Sequence, residues 1–268
     1  MLPPSDHSAP EANAADPREF EALRLAYDRL QQQYHALAAF LGTASHELRA
    51  PINQVISLHQ LILEDLCESP DEEREFIAQA NQAIAHILKN LDTVIALSKL
   101  DIGALEPAHR PIPLGKVLAT VQRFTTMQCI NRQCRLTVNP GPEPPQVLSD
   151  ETWLTQALLS LVESALVVGS SAISLEVGGA DRETDGGADQ AAITLTLTCQ
   201  GSASPWPPPT LPPPNPADTP EPSHAAAFRY HLAQRLLAHL QGSMRPVPST
   251  SPDEGILLIA LPASDSRV

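Results

Sequence analysis

The sequence predicts an α+β protein: an antiparallel helical hairpin that dimerises into a four-helix bundle, followed by an α/β sandwich. Three observations predict it. Phe20, Leu23, Tyr27, Leu30, Tyr34, Leu37, Leu41, Ala44 and Leu48 recur in alternating steps of three and four, which is a heptad seam. Ile77, Ala80, Ile84, Ile87, Leu91 and Val94 repeat that spacing after a short break. Beyond residue 112, helical patterns are interspersed with alternating strands, which indicates a mixed sheet carrying helices.

Composition narrows the function classes. The 268 residues have room for one or two domains and a substantial core. A formal net charge of −14 repels nucleic acid and anionic membranes, so neither is expected as a partner. No apolar run approaches the roughly 18 residues that span a bilayer, and the N-terminus lacks a basic start and an apolar core. The expected location is therefore cytoplasmic. The four cysteines, Cys67, Cys129, Cys134 and Cys199, are scattered and read as reduced structural thiols rather than as zinc ligands or a disulfide framework. No metal site is expected.

In chain order, residues 1–16 lack periodicity and read as a disordered tail, with no sensory module ahead of the first helix. Asp16 and Pro17 suit an N-cap and first helical position, and the helix should run to about Cys67. Ser69 caps the second helix, Pro70 takes its first position and Glu72 completes a capping box. Together they give a hairpin over 17–105. Each seam is apolar over many turns, so pairing with a second copy is the natural way to bury it. Pro107, Pro111 and Pro113 mark an extended linker, with the domain boundary near 103–112.

Over 112–268 the pattern gives a helix at 114–130, a strand at 135–138, a proline-rich loop at 140–145, and a helix capped by Asp150. Strands ISLEV and AAITLTLTC follow, then a proline-rich insertion at 205–222, the amphipathic helix FRYHLAQRLLAHL and a closing strand GILLIAL. The insertion, drawn from the chain's 27 prolines, reads as a surface linker.

The stretch Phe40 to Leu61 organises the chain. If the seam residues hold positions a and d, His46 falls at position f and points into water, and Pro51 should bend the helix just beyond it. The segment SHELRAPI closely resembles the phosphoacceptor box of sensor histidine kinases. The resemblance implies that His46 is the phosphorylated nucleophile and Glu47 the acid that polarises its ring, a role suited to a neutral imidazole with one free lone pair. It also implies a homodimer and response-regulator receiver domains as partners; another histidine kinase would be the partner if the chain were a scaffold that regulates a true kinase. Ala50 departs from the Thr or Asn that many members carry four residues after the histidine, a position used in dephosphorylating the partner.

The second half resembles the histidine-kinase ATPase-type domain in order and spacing, yet its ATP boxes are changed. Ser160 and Ser164 stand where the family has asparagines, the second of which helps hold magnesium, and Glu163 is a substitute ligand or a solvated side chain. Cys199, Gln200, Gly201, Ser202 and Ala203 align with D-x-G-x-G, whose aspartate accepts from adenine, so only the first glycine survives. Phe228, Arg229, Tyr230 and His231 align with a second glycine-rich loop, where aromatics block close approach to phosphate. The sequence therefore favours a phosphorelay protein that carries phosphoryl on His46 and needs no cofactor. Two rivals stand: an active cytosolic kinase using ATP and magnesium, and a non-catalytic dimeric scaffold that regulates a true kinase.

Overall fold

A computed structural model describes residues 17–181, 192–201, 206, 221–249, 251 and 253–264. The tail at 1–16 and most of the proline-rich insertion lie outside them. The chain divides into two compact units, 1–38 and 39–268.

Helix α1 spans Pro17–Leu63, ending one turn earlier than expected, and continues through Pro51. In the first unit it exposes Phe20, Leu23, Tyr27, Leu30 and Tyr34, the expected seam. Helix α2 spans Pro70–Asp101. Its start follows the sequence signal closely: the Ser69 hydroxyl accepts from the Glu72 N–H at 3.2 Å, while the Glu72 carboxylate accepts from the Glu68 N–H at 2.6 Å. These helices form the hairpin. Ala80, Ala83, Leu97 and Leu100 of α2 are buried, whereas Ile77, Ile84, Leu88, Leu91 and Ile95 are exposed on it.

The α/β half contains β1 (Arg110–Pro113), α3 (Leu114–Asn131), β2 (Arg135–Asn139), β3 (Gln146–Ser149), α4 (Glu151–Val167), β4 (Ala172–Asp181), β5 (Ala192–Gln200), α5 (Glu221–His239), β6 (Ser243–Val247) and β7 (Glu254–Pro262). Strands β1 and β3 form a small antiparallel pair with Ile112 opposite Val147. The main sheet has the order β2-β4-β5-β7-β6. Its β2–β4 pair is parallel and the others are antiparallel, so the sheet is mixed as expected.

Side chains of β5 and β7 alternate strictly, with Ile193, Leu195, Leu197 and Cys199 buried beside Leu257, Ile259 and Leu261. That face meets the helices. Helix α4 is apolar on most sides because it packs against both α3 and α5, burying Leu154, Leu158, Leu161 and Val162 completely. Asp150 caps it, one carboxylate oxygen accepting from the Thr152 and Trp153 N–H groups at 2.9 and 3.2 Å.

Three strands differ from the sequence reading. The segment 110–113, expected as linker, is β1, and β3 and β6 join it as short strands. Each is four or five residues long, and prolines interrupt β1 and β6, so no alternating signal develops.

Candidate phosphoacceptor site

His46 sits on α1 at a point of intermediate exposure. Expected to point into water, His46 is partly exposed and has an interaction partner of its own. One residue on, Glu47 is 8% exposed. A carboxylate is rarely so buried without a cation. The cation is Arg229 of α5, whose Nη1 lies 3.3 Å from Glu47 Oε2 and whose Nε lies 3.3 Å from Glu163 Oε2 on α4. Arg229 Nη1 also donates to the Ala225 carbonyl at 3.1 Å. Glu163 is thus a partner of this arginine, neither the stand-in metal ligand nor the solvated side chain expected.

Two further contacts flank that cluster. The rings of Phe40 and Phe228, both buried, stack with centroids 5.6 Å apart and planes at 22°. The Arg235 guanidinium lies over Phe40, 5.4 Å from its centroid, and donates to Asp101 at 2.6 Å; His239, at the end of α5, reaches the other Asp101 oxygen at 2.8 Å. On α2, burial holds the His86 imidazole below its ordinary pKa, and the charges of Arg229 and Lys89 push the same way against Glu163.

The sequence-nominated serines are engaged within the α/β half. Ser160 and Ser164 of α4 are buried, 1% and 0% exposed, and Ser164 lies in the α4–α5 contact. The Ser164 hydroxyl donates to the Ala226 carbonyl at 3.0 Å and the Ser160 hydroxyl to the Gln156 carbonyl at 2.9 Å. Phe228, Arg229, Tyr230 and His231, which align with a glycine-rich loop but open the expected helix FRYHLAQRLLAHL, lie in α5, which begins earlier, at Glu221. Helix-forming residues from Ala225 to Leu237 and burial against α4 account for the helix.

Cys199 is buried in β5, and burial raises its thiol pKa. Gly201 has a packing reason to be glycine: a Cβ there would lie 3.0 Å from Ser170 Cα and 3.3 Å from the Gly169 carbonyl. It borders an open cavity of about 540 Å³ lined with Ser171, Gln200, Ser251, Asp253 and Glu254. Two carboxylates in that lining make it a poor seat for a polyphosphate anion. Among the described residues, no group of three or more His, Cys, Asp or Glu side chains is arranged to hold a metal, and no helix is long and apolar enough to cross a membrane.

Sequence reasoning missed Arg229. It and Glu47 are 182 residues apart, and no local pattern links them. The one available signal was a lone arginine in the mostly apolar helical stretch AAAFRYHLA at 225–233.

Residues 36–103 match the His Kinase A (phospho-acceptor) domain. The chain is 24% identical over 140 residues to the Aerobic respiration control sensor protein ArcB of Escherichia coli (strain K12), covering 52% of this chain and 18% of that protein. It is 25% identical over 175 residues to the Autoinducer 2 sensor kinase/phosphatase LuxQ of Vibrio harveyi, covering 64% of this chain and 20% of that one. The chain thus spans about a fifth of the length of these relatives. Among solved structures it resembles the Acinetobacter baumannii histidine kinase AdeS, with TM-score 0.56, 15% identity, and 82% and 98% of the two chains covered. It also resembles full-length ShkA in complex with AMPPNP, with TM-score 0.52, 18% identity, and 84% and 46% covered. The shared property is the fold.

Proposed function

We propose that this chain is a phosphorelay component, a reading supported by the match of residues 36–103 to the His Kinase A phosphoacceptor domain and by a fold that resembles a histidine kinase over most of the chain. In this reading His46 receives a phosphoryl group from the aspartyl phosphate of one receiver domain and passes it to the aspartate of another. A ring nitrogen of His46 attacks phosphorus with its lone pair, the bond from phosphorus to the aspartyl oxygen breaks, and the carboxylate leaves. Glu47 accepts the N–H of the other ring nitrogen, which stabilises the positive charge that builds on the imidazole. The receiver supplies magnesium and the acidic pocket, so the chain needs only the histidine, the acid and a docking face.

The observation that carries the loss of ATP chemistry in this reading is Ser164. Its hydroxyl is spent on the Ala226 carbonyl in a contact closed to solvent. An amide oxygen reaching for magnesium at that position would have to displace α5. Cys199 offers a thiol where adenine needs an anionic acceptor. These residues do not fit ATP and magnesium, and no step is assigned to them.

The exposed Ile77, Ile84, Leu88, Leu91 and Ile95 of α2 support a homodimer, since a row of large apolar side chains at heptad spacing costs free energy in water. A cytoplasmic location and the receiver partners belong to the same proposal.

The test is a radiolabel transfer assay with labelled ATP and magnesium, then with a labelled phospho-receiver, each beside His46→Gln. The expected result is no label from ATP and acid-labile label from the receiver, lost with His46. Label from ATP that depends on His46 would make the protein a divergent kinase. No label in either arm, across several receivers, would leave a dimeric scaffold.

A further inference from the structure

We propose that Arg229 is a positioning residue of the phosphoacceptor site: it keeps the Glu47 carboxylate ionised and fixed beside His46, so that the α/β domain supplies a charge the hairpin site requires. The inference rests on the phosphoacceptor reading of His46 above. The need arises at Glu47, whose side chain is 10% exposed among the buried Phe40 and Ala44. A carboxyl group in such surroundings takes up a proton unless a cation holds it charged. Once protonated it can no longer accept the imidazole N–H as an anion, and its support for the nucleophile is lost.

Arg229 is built to meet that need. Its guanidinium is 16% exposed, is held at one nitrogen by the Ala225 carbonyl and at another by Glu163, and is thereby aimed at Glu47. The stacked Phe40 and Phe228 fix the adjacent turn of α5 against α1. His86, which faces the same cluster from α2, is biased toward its neutral form and does not replace the cation. Phe228 and Arg229, in the segment that aligns with the resembling family's glycine-rich phosphate loop, are therefore residues that reach the phosphoacceptor helix. This gives the retained domain a function independent of nucleotide.

The test uses the full chain and phosphoramidate, a small donor whose P–N bond breaks with loss of ammonia as the His46 N–P bond forms, so no receiver has to dock. Arg229→Met is expected to phosphorylate about tenfold more slowly, a part of the ~10²–10⁴ that a positioned proton acceptor contributes, and Arg229→Lys to recover most of the rate. Infrared difference spectra at neutral pH should show a protonated carboxyl band in Arg229→Met that is absent from wild type and Arg229→Lys and is removed by adding Glu47→Gln. Glu163→Gln removes the carboxylate that holds Arg229 Nε but leaves the Arg229–Glu47 pair, and should slow phosphorylation less than Arg229→Met and show no protonated carboxyl band. An unchanged rate in Arg229→Met, no such band, or an equal loss in Glu163→Gln would overturn the proposal. If wild-type His46 takes no phosphoryl group from any donor, the phosphoacceptor reading fails, and the infrared comparison still decides whether Arg229 sets the charge of Glu47.

Discussion

The ring of Phe228 lies 5.6 Å from that of Phe40, and this stack joins the helix that carries His46 to the helix that closes the α/β half. Both rings are buried, so the contact is apolar burial with an aromatic preference added. Phe228→Ala should cost about 3–5 kcal/mol of stability, read from the urea midpoint. A double-mutant cycle with Phe40→Leu and Phe228→Leu should return a coupling of about 0.5–1.5 kcal/mol, and a coupling near zero would mean that the rings merely share a core.

Ser164→Asn restores the residue type that the resembling kinases use near magnesium. The side chain is 0% exposed, so the larger amide should overpack the α4–α5 contact and destabilise the fold by about 1–3 kcal/mol. Calorimetry with ATP and magnesium should detect no gain in binding. A gain would show that a single residue had closed the site.

Cysteine reactivity should separate sharply. Burial pushes the Cys134 thiol up to about 11, and the thiols of Cys129 and Cys199 are raised by the same cause. The Cys67 thiol is raised as well, by desolvation first and the Glu72 carboxylate second, so access rather than acidity sets the contrast. Iodoacetamide at neutral pH should therefore label Cys67, the one cysteine that is not buried, and spare the other three until the protein unfolds. Mass spectrometry of the native and urea-treated protein reads the difference.

Stability should fall as pH drops through the ordinary histidine range. Burial lowers the pKa of His231, as it does that of His86, so the unfolded chain takes up protons at these positions before the folded one. With more protons bound to the unfolded state, stability rises with pH across about pH 5 to 7. His231→Gln should flatten the slope of the urea midpoint against pH, and an unchanged slope would assign it to other groups.

Leu91→Glu places a charge in the exposed seam of α2 without opening a buried core. Sedimentation should show a shift from dimer to monomer, with each 1.4 kcal/mol of lost association raising the dissociation constant about tenfold. Circular dichroism should stay helical.

Most of the fold was legible because its signals are local. The heptads, the Ser69 and Asp150 caps, and the alternation in β4, β5 and β7 each lie within a window of one element. The edge strands were not, since Pro111 and Pro246 remove the donors and the rhythm by which a strand is recognised. His46 could be singled out from the box around it. Its electrostatic surroundings could not, because the charge beside Glu47 comes from a residue far along the chain whose neighbours looked like a spoiled glycine loop. The helix itself was legible from its amphipathic pattern, but alignment to a glycine motif says nothing about which partner a side chain on that helix will meet.

The two carboxylate oxygens of Asp150 serve different elements. While one caps α4, the other accepts from the Ala108 N–H at 2.9 Å, in the connection that leaves the hairpin. A single carboxylate is thus both the start of a helix and the anchor of the strap arriving from α2. Torsion applied to the hairpin has a mechanical route into the second half through this pin, and a mutation here would slacken the strap and fray the helix in one stroke.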